Sequence, residues 1–102
     1  MARAEHKTTA KVIGSWLYGA EESVQLDTPD WVAWLAEHTT FYLESSQGTL
    51  TARREVRGPA HYWYAYRRYH GKLYKSYLGK AEEVTRERLQ MIAQALADKA
   101  DA

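Results

Sequence analysis

The chain has 102 residues, of which 45% are apolar and 26% charged, so we expect one globular domain with a modest core and exclude wholesale disorder. Its net charge is only +1, and the absence of cysteine excludes disulfides and thiolate metal sites and favours a reducing compartment. No apolar run is long enough to span a membrane and residues 1–10 lack a signal-peptide core, so we expect a cytoplasmic protein.

The N-terminal quarter predicts a tail followed by two short strands. Residues 1–11 are small and polar and are expected to form a flexible tail. Residues 12–18 and 23–26 each have the composition of a short strand, and residues 19–22 supply the turn between them. So short a hairpin is stable only when it packs on something larger.

Residues 27–30 carry the signals of a helix start. Thr28 can act as the N-cap, Pro29 suits the first helical position, and Asp30 suits the positive end of the helix. The predicted helix covers residues 31–38. Four of its side chains share one face, which is more typical of a core than of a ligand site: Trp31, Trp34, Leu35 and His38.

Two strands are predicted next, at residues 41–45 and 49–57, with a turn at residues 47–48 and a break at residues 58–59. Alternation along the second strand places its side chains on two faces. One face carries Leu50, Ala52 and Val56, and the other carries Thr51, Arg53, Glu55 and Arg57.

Residues 61–79 form a predicted β-hairpin that holds most of the tyrosines of the chain. A two-residue loop at His70 and Gly71 pairs Tyr69 with Lys72, Arg67 with Tyr74, Ala65 with Ser76, and Trp63 with Leu78. The face of Trp63, Ala65 and Leu78 is then the core side, and the other face shows Tyr62, Tyr64, Tyr66, Arg68, Leu73, Lys75 and Tyr77. A slip of one residue would exchange the two faces.

The chain ends in an amphipathic helix. Thr85 is a suitable N-cap for a helix at residues 86–97, whose apolar stripe consists of Leu89, Ile92, Ala93 and Leu96. Residues 98–102 are expected to be a short tail. The predicted fold is a single α+β domain at residues 12–97. It has an antiparallel sheet of three to four strands, the C-terminal helix packed on one face, and a short additional helix.

The sequence contains no pattern that indicates catalysis. The four histidines lack the spacing of a metal site, and the adjacent glutamates at 21–22 and 82–83 point in different directions. There is no glycine-rich phosphate loop and no nucleophile elbow. We therefore predict no enzymatic activity, no metal or other cofactor, and no small-molecule substrate.

Positive charge is concentrated in the middle of the chain and predicts a polyanionic partner. Residues 53–80 carry eight basic side chains and one acid, whereas the flanking segments 1–52 and 81–102 have net charges of −4 and −2. Arginine and lysine interleaved with tyrosine suit phosphates and base edges, so we predict binding of duplex DNA through the exposed sheet face. The predicted contact residues on this face are Arg53, Arg57, Tyr64, Tyr66, Arg68 and Lys75, and His70 and Lys72 at the loop tip are predicted to touch the DNA backbone. The alternative is a protein-interaction module, including a homodimer, that uses the same tyrosine and arginine face.

Three stretches of the chain form a recognisable pattern: Tyr62-Trp-Tyr-Ala-Tyr-Arg-Arg, Gly71-Lys-Leu-Tyr-Lys-Ser-Tyr-Leu-Gly-Lys and Val84-Thr-Arg-Glu-Arg-Leu. This pattern resembles a small bacterial domain found alone or ahead of large LuxR-type, ATP-binding transcription regulators. Residues 31–35, 41 and 48–55 fit the same pattern, so the resemblance covers about residues 24–97. More loosely, three strands and a helix resemble the AP2-like domains of phage integrases, which bind DNA through their sheet. The resemblance implies a DNA-associated role in transcription regulation or in a mobile element. The ATPase, helix-turn-helix and recombinase catalytic regions of those proteins have no counterpart in this sequence.

Overall fold

A computed structural model describes residues 10–19, 22–46 and 48–101 of the chain, without the side chains of residues 100 and 101. Within these ranges the chain forms an α+β fold, as predicted. Its elements are β1 (Lys11–Ile13), β2 (Trp16–Tyr18), β3 (Ser23–Gln25), α1 (Pro29–Glu37), β4 (Thr40–Ser45), β5 (Gly48–Arg57), β6 (Ala60–Tyr69), β7 (Lys72–Gly79), a 3₁₀ turn (Ala81–Glu83) and α2 (Arg86–Asp101).

The sheet is larger than predicted and is mixed. Seven strands lie in the order β3-β2-β1-β4-β5-β6-β7, and every neighbouring pair is antiparallel except β1 and β4, which run parallel. The prediction of three to four antiparallel strands was therefore wrong. The chain reverses at Gly14, whose φ of 64° favours glycine, so residues 12–18 form two strands rather than one.

Both predicted tails are shorter than expected where the structure describes them. The carbonyl of Ala10 accepts a hydrogen bond of 2.9 Å from the Tyr42 amide, and Lys11 belongs to β1, so these two residues of the predicted tail 1–11 are part of the sheet. Residues 1–9 lie outside the described ranges. At the other end α2 continues to Asp101 instead of stopping at residue 97, because residues 98–101 still allow helical hydrogen bonding.

Two predicted turns fall partly on undescribed positions. Residues 20 and 21 of the turn at 19–22 are outside the described ranges, although the Gly19 amide donates to the Glu22 carbonyl at 2.8 Å. Residue 47 of the turn at 47–48 is likewise undescribed.

Helix α1 begins as its sequence predicts. The Thr28 hydroxyl accepts a hydrogen bond of 3.3 Å from the Trp31 amide, and Pro29 occupies the first helical position. The rings of Trp31 and Trp34 are buried and stacked with centroids 5.7 Å apart, and the edge of Phe41 meets both. Trp31, Trp34 and Leu35 of the predicted face are thus confirmed as core, whereas His38 is half-buried and follows the helix, which ends at Glu37 instead of residue 38.

One face of the sheet carries the core, and both helices cover it. Leu89, Ile92, Ala93 and Leu96 of α2 are buried in the same cluster as the α1 tryptophans and the inward side chains of the strands. Arg54 also points to this side, where its Nη1 donates to the carbonyls of Leu35 at 3.4 Å and Ala36 at 2.8 Å. This basic residue therefore stabilises the carboxyl end of α1.

The β6–β7 hairpin has the predicted faces and nearly the predicted register. Tyr69 pairs with Lys72, Arg67 with Tyr74, and Ala65 with Ser76. A bulge next to Trp63 moves its partner from the predicted Leu78 to Gly79. Trp63, Ala65 and Leu78 are all buried, which confirms the prediction that their face of the hairpin is the one that packs on the core. Val56, predicted on the core side of β5, is 66% exposed, and its ladder partner His61 is exposed too. Both residues are exposed because this end of the ladder lies beyond the core.

Candidate nucleic-acid interface

The sheet face opposite the two helices, here called the open face, collects the alternate side chains of β5, β6 and β7. Cross-strand pairing aligns Arg53 with Tyr64 and Tyr77, and Thr51 with Tyr66 and Lys75. In these three strands the open face consists of Thr49, Thr51, Arg53, Glu55, Arg57, Tyr62, Tyr64, Tyr66, Arg68, Leu73, Lys75 and Tyr77. Because side chains alternate along each strand, the pairing gathers one acid, four cations and four tyrosines.

Six of the eight predicted contact residues lie together on the open face: Arg53, Arg57, Tyr64, Tyr66, Arg68 and Lys75. The other two do not. His70 lies in the hairpin turn with φ of 53°, and its ring stacks on Tyr69 with centroids 4.1 Å apart. Lys72 points to the helix side, where its Nζ lies 5.6 Å from the centre of the Tyr74 ring. Both residues lie at the end of the hairpin, and their contact with the DNA backbone stays a prediction.

Glu55, which is not among the predicted contact residues, is the centre of a polar cluster on the open face. Its Oε2 accepts a hydrogen bond from the Tyr66 hydroxyl, and its Oε1 lies 3.2 Å from Arg57 Nη2 and 3.6 Å from Lys75 Nζ. The alternation of residues 51–57 placed Glu55 on this face but gave no sign of its partners, which come from β6 and β7.

The contacts of Glu55 shift the pKa values of the cluster. The hydrogen bond from Tyr66, aided by Arg57 and Lys75, holds the pKa of Glu55 below its ordinary value. Partial burial and the bond to Glu55 raise the pKa of Tyr66, so this hydroxyl keeps its proton at neutral pH and donates it to the carboxylate. The hydrogen bond to Glu55 raises the pKa of Arg57. The cluster is therefore a fixed arrangement of one anion, two cations and a neutral phenol.

Tyrosine rings support the cations of the open face. Lys75 Nζ lies 4.4 Å from the ring centre of Tyr64, and Arg57 Cζ lies 5.3 Å from the same ring. The edge of Tyr77 meets Tyr64 with ring centres 5.5 Å apart. These contacts restrict the long cationic side chains and hold planar rings between them.

The cations of the open face differ in how far they are neutralised. In the described part of the chain, two of the ion pairs join Glu55 to Arg57 and Lys75, and a third joins Lys11 to Glu44 at 3.3 Å. Arg53 and Arg68 take part in none of them and are exposed. Their charge is therefore directed to solvent without a local acid to offset it.

The open face continues across the first half of the sheet. Ile13, Trp16 and Tyr18 are 46%, 41% and 47% exposed, respectively. The pairing of β1 with β2 and β4 puts them on the same side as Lys11, Tyr42 and Glu44. The open face thus has a basic half on β5–β7 and a more apolar, aromatic half on β1, β2 and β4.

The described residues contain no group of three or more histidine, aspartate or glutamate side chains that could hold a metal ion. Over the same described ranges, neither helix has the length and hydrophobicity that crossing a membrane requires.

Comparison of the chain with protein-family models, with curated proteins and with solved structures finds no match.

Proposed function

We propose that this chain is a DNA-binding module that contacts duplex DNA through the basic half of its open face. The observation that carries the proposal is the pair of exposed guanidinium groups, Arg53 and Arg68, which form no ion pair in the described structure and border a cluster of tyrosines. The resemblance of residues 62–89 to a domain of bacterial transcription regulators, and more loosely to integrase domains, supports a role in transcription regulation or in a mobile element.

The chemistry of the open face suits the phosphate backbone. Arg53, Arg68 and Lys75 supply charge that neutralises phosphates and releases counterions, while tyrosine hydroxyls donate hydrogen bonds to phosphate oxygens. Glu55 repels phosphate at the centre of the surface, so the backbone follows the outer cations rather than the middle of the cluster.

Titration of a labelled duplex tests the proposal. Between about 50 mM and about 200 mM salt, the affinity should fall roughly 100-fold if about four phosphates are neutralised. Arg68→Ala should weaken binding about 3- to 10-fold, since one exposed phosphate contact is lost. Lys99→Ala removes the same charge from an exposed position of α2, which packs on the other side of the sheet, and should leave affinity within about twofold. Absence of binding at low salt, or equal losses in both variants, would refute the proposal.

A second candidate is a protein-interaction module, including a homodimer, formed through the same face. The exposure of Ile13, Trp16 and Tyr18 favours it, because aromatic side chains on an uncovered surface are typical of protein interfaces. Light scattering decides whether the partner is a second copy. A dimer that Trp16→Ser converts to a monomer supports a homodimer, and a monomer over the whole concentration range rejects it.

A further inference from the structure

At its turn end the β6–β7 hairpin is no longer paired with β5, whose first residues, Gly48 to Leu50, pair with β4 instead. The β5–β6 ladder ends at the pair of Thr51 and Tyr66, whereas the β6–β7 ladder continues for three more pairs: Arg67 with Tyr74, Arg68 with Leu73, and Tyr69 with Lys72. Residues 67–74, here called the hairpin tip, therefore form a two-stranded ribbon closed by His70 and Gly71.

The hairpin tip is basic on both of its sides. Arg68 lies on the side of the open face, and Arg67 and Lys72 lie on the helix side. The tip has no acid, and none of its three cations takes part in an ion pair found among the described residues. This distinguishes it from the centre of the open face, where Glu55 already neutralises Arg57 and Lys75.

Arg67 is held at the root of the tip without an anionic partner. Its Cζ lies 5.7 Å from the centre of the Tyr69 ring, and its guanidinium passes so close to Gly48 that a Cβ there would collide with it. In the described structure, Nη1 of Arg67 is buried and has no hydrogen-bond partner. Leaving such a group unpaired has a free-energy cost, so the positive charge at the tip root is not explained by the stability of the fold.

The dimensions of the sheet and of the tip suit different parts of a duplex. Seven strands about 4.8 Å apart make a sheet about 29 Å across, which exceeds the major groove of about 12 Å. The tip has only two strands, and three residue pairs at about 3.4 Å each give it a length of about 10 Å, close to the groove depth of about 8.5 Å. The tip fits the groove and the complete sheet does not.

We infer that the hairpin tip enters the major groove as a two-sided finger, so that Arg67 and Lys72 on the helix side contact DNA in addition to Arg68 on the open side. This inference rests on the proposed function and adds a contact surface on the side of the hairpin that faces away from the open face. Within the groove, Arg68 and Lys72 face opposite walls. The wide sheet remains outside, with Arg53 against the backbone.

A duplex with a filled major groove tests where the tip binds. Glucosylated hydroxymethylcytosine places bulky sugars in the major groove and leaves the minor groove and the phosphates unchanged. The wild-type chain should bind this duplex at least about tenfold more weakly than the unmodified duplex of the same sequence. Equal affinity for both duplexes refutes the inference and leaves the proposed function intact. Absence of binding to the unmodified duplex refutes both.

A lysine substitution tests whether the helix side of the tip takes part. Lys72→Ala should lower affinity for the unmodified duplex about 3- to 10-fold, and Lys72→Arg should retain it, because the charge is kept. Lys80→Ala is the matched control, since Lys80 is an exposed lysine just after the far end of β7. Equal affinities of Lys72→Ala and the wild-type chain, with unchanged melting temperatures, refute the two-sided contact.

Discussion

At the scale of single residues, Glu55 determines how much of the positive charge of the open face reaches solvent. Arg57 and Lys75 both lie within 4 Å of its carboxylate and Tyr66 donates a hydrogen bond to it, so three of the six predicted contact residues on that face are already engaged within the protein. The face is therefore less basic at its centre than the local count of arginines and lysines suggests, and its strongest field lies toward Arg53 and the hairpin tip.

The lowered pKa of Glu55 gives the wild-type chain a stability that depends on pH. Above its ordinary pKa of 4.5 the ionised carboxylate contributes fully to the free energy of unfolding, and this contribution is lost as the pH falls through the lower folded-state pKa. The melting temperature of the wild type should exceed that of Glu55→Gln at neutral pH, and the two should converge in acid. Glu37→Gln, at an exposed position of α1, controls for loss of a surface acid. A difference that grows as the pH falls would contradict this account.

At the scale of elements, α1 is joined to the loop between β7 and α2 by one buried hydrogen bond. The indole Nε1–H of Trp31 donates to the Val84 carbonyl at 2.7 Å, and both residues are 1% exposed. Loss of the donor leaves a buried carbonyl unpaired, in addition to the space left by the smaller ring.

Trp31→Phe should therefore lower the free energy of unfolding by about 2–4 kcal/mol, measured by urea denaturation. The neighbouring residue Val32 is exposed on the same helix, and Val32→Ala should change stability by less than about 0.5 kcal/mol. If both variants unfold at the same urea concentration, the hydrogen bond to Val84 does not anchor the helix.

The sequence predicts elements well where a local signal determines them. Thr28 and Pro29 define the start of α1, and the two-residue loop at His70 and Gly71 determines three of the four predicted hairpin pairs. The bulge at the other end was missed because no local signal marks it. The parallel pair of β1 and β4 was missed because it joins segments far apart in the chain, which no residue pattern in either segment specifies.

The candidate site could be predicted to the extent that strand alternation determines it. Period-two alternation placed Arg53 and Arg57 on one face, and the hairpin register placed Tyr64, Tyr66 and Lys75 beside them. The same register correctly placed Lys72 opposite Tyr69, at the end of the hairpin and on its core side. The link between Glu55 and Tyr66 depends on pairing between strands, so it could not be predicted from residues 51–57 alone.

At the scale of the whole molecule, both helices lie on one side of the sheet, so the sheet itself leaves one uncovered face for the proposed DNA partner. The cations available on that side and at the tip are Arg53, Arg57, Arg67, Arg68, Lys72 and Lys75. Two of them are partly neutralised by Glu55, so four to six phosphates are expected to be contacted. A plot of log affinity against log salt should have a slope of about −3.6 to −5.4. A slope near −1 would show that the surface does not act as a unit.

The parallel pairing of β1 with β4 divides the sheet into two units, β1–β3 and β4–β7, which we expect to differ in their resistance to local unfolding. Among the described residues, the meander β1–β3 is joined to β4 within the sheet by three residue pairs, Lys11 with Tyr42, Val12 with Leu43, and Ile13 with Glu44, and by the hydrogen bond from the Tyr42 amide to the Ala10 carbonyl. Formation of this pairing must close a long loop that contains α1, a step that is entropically unfavourable and belongs late in folding. We therefore expect the meander to open before β4–β7 separate, so the amide hydrogens of β1–β3 should exchange with solvent faster than those of β5 and β6. Such opening would expose the inner surface of the meander and leave the hairpin tip and the basic half of the open face in place.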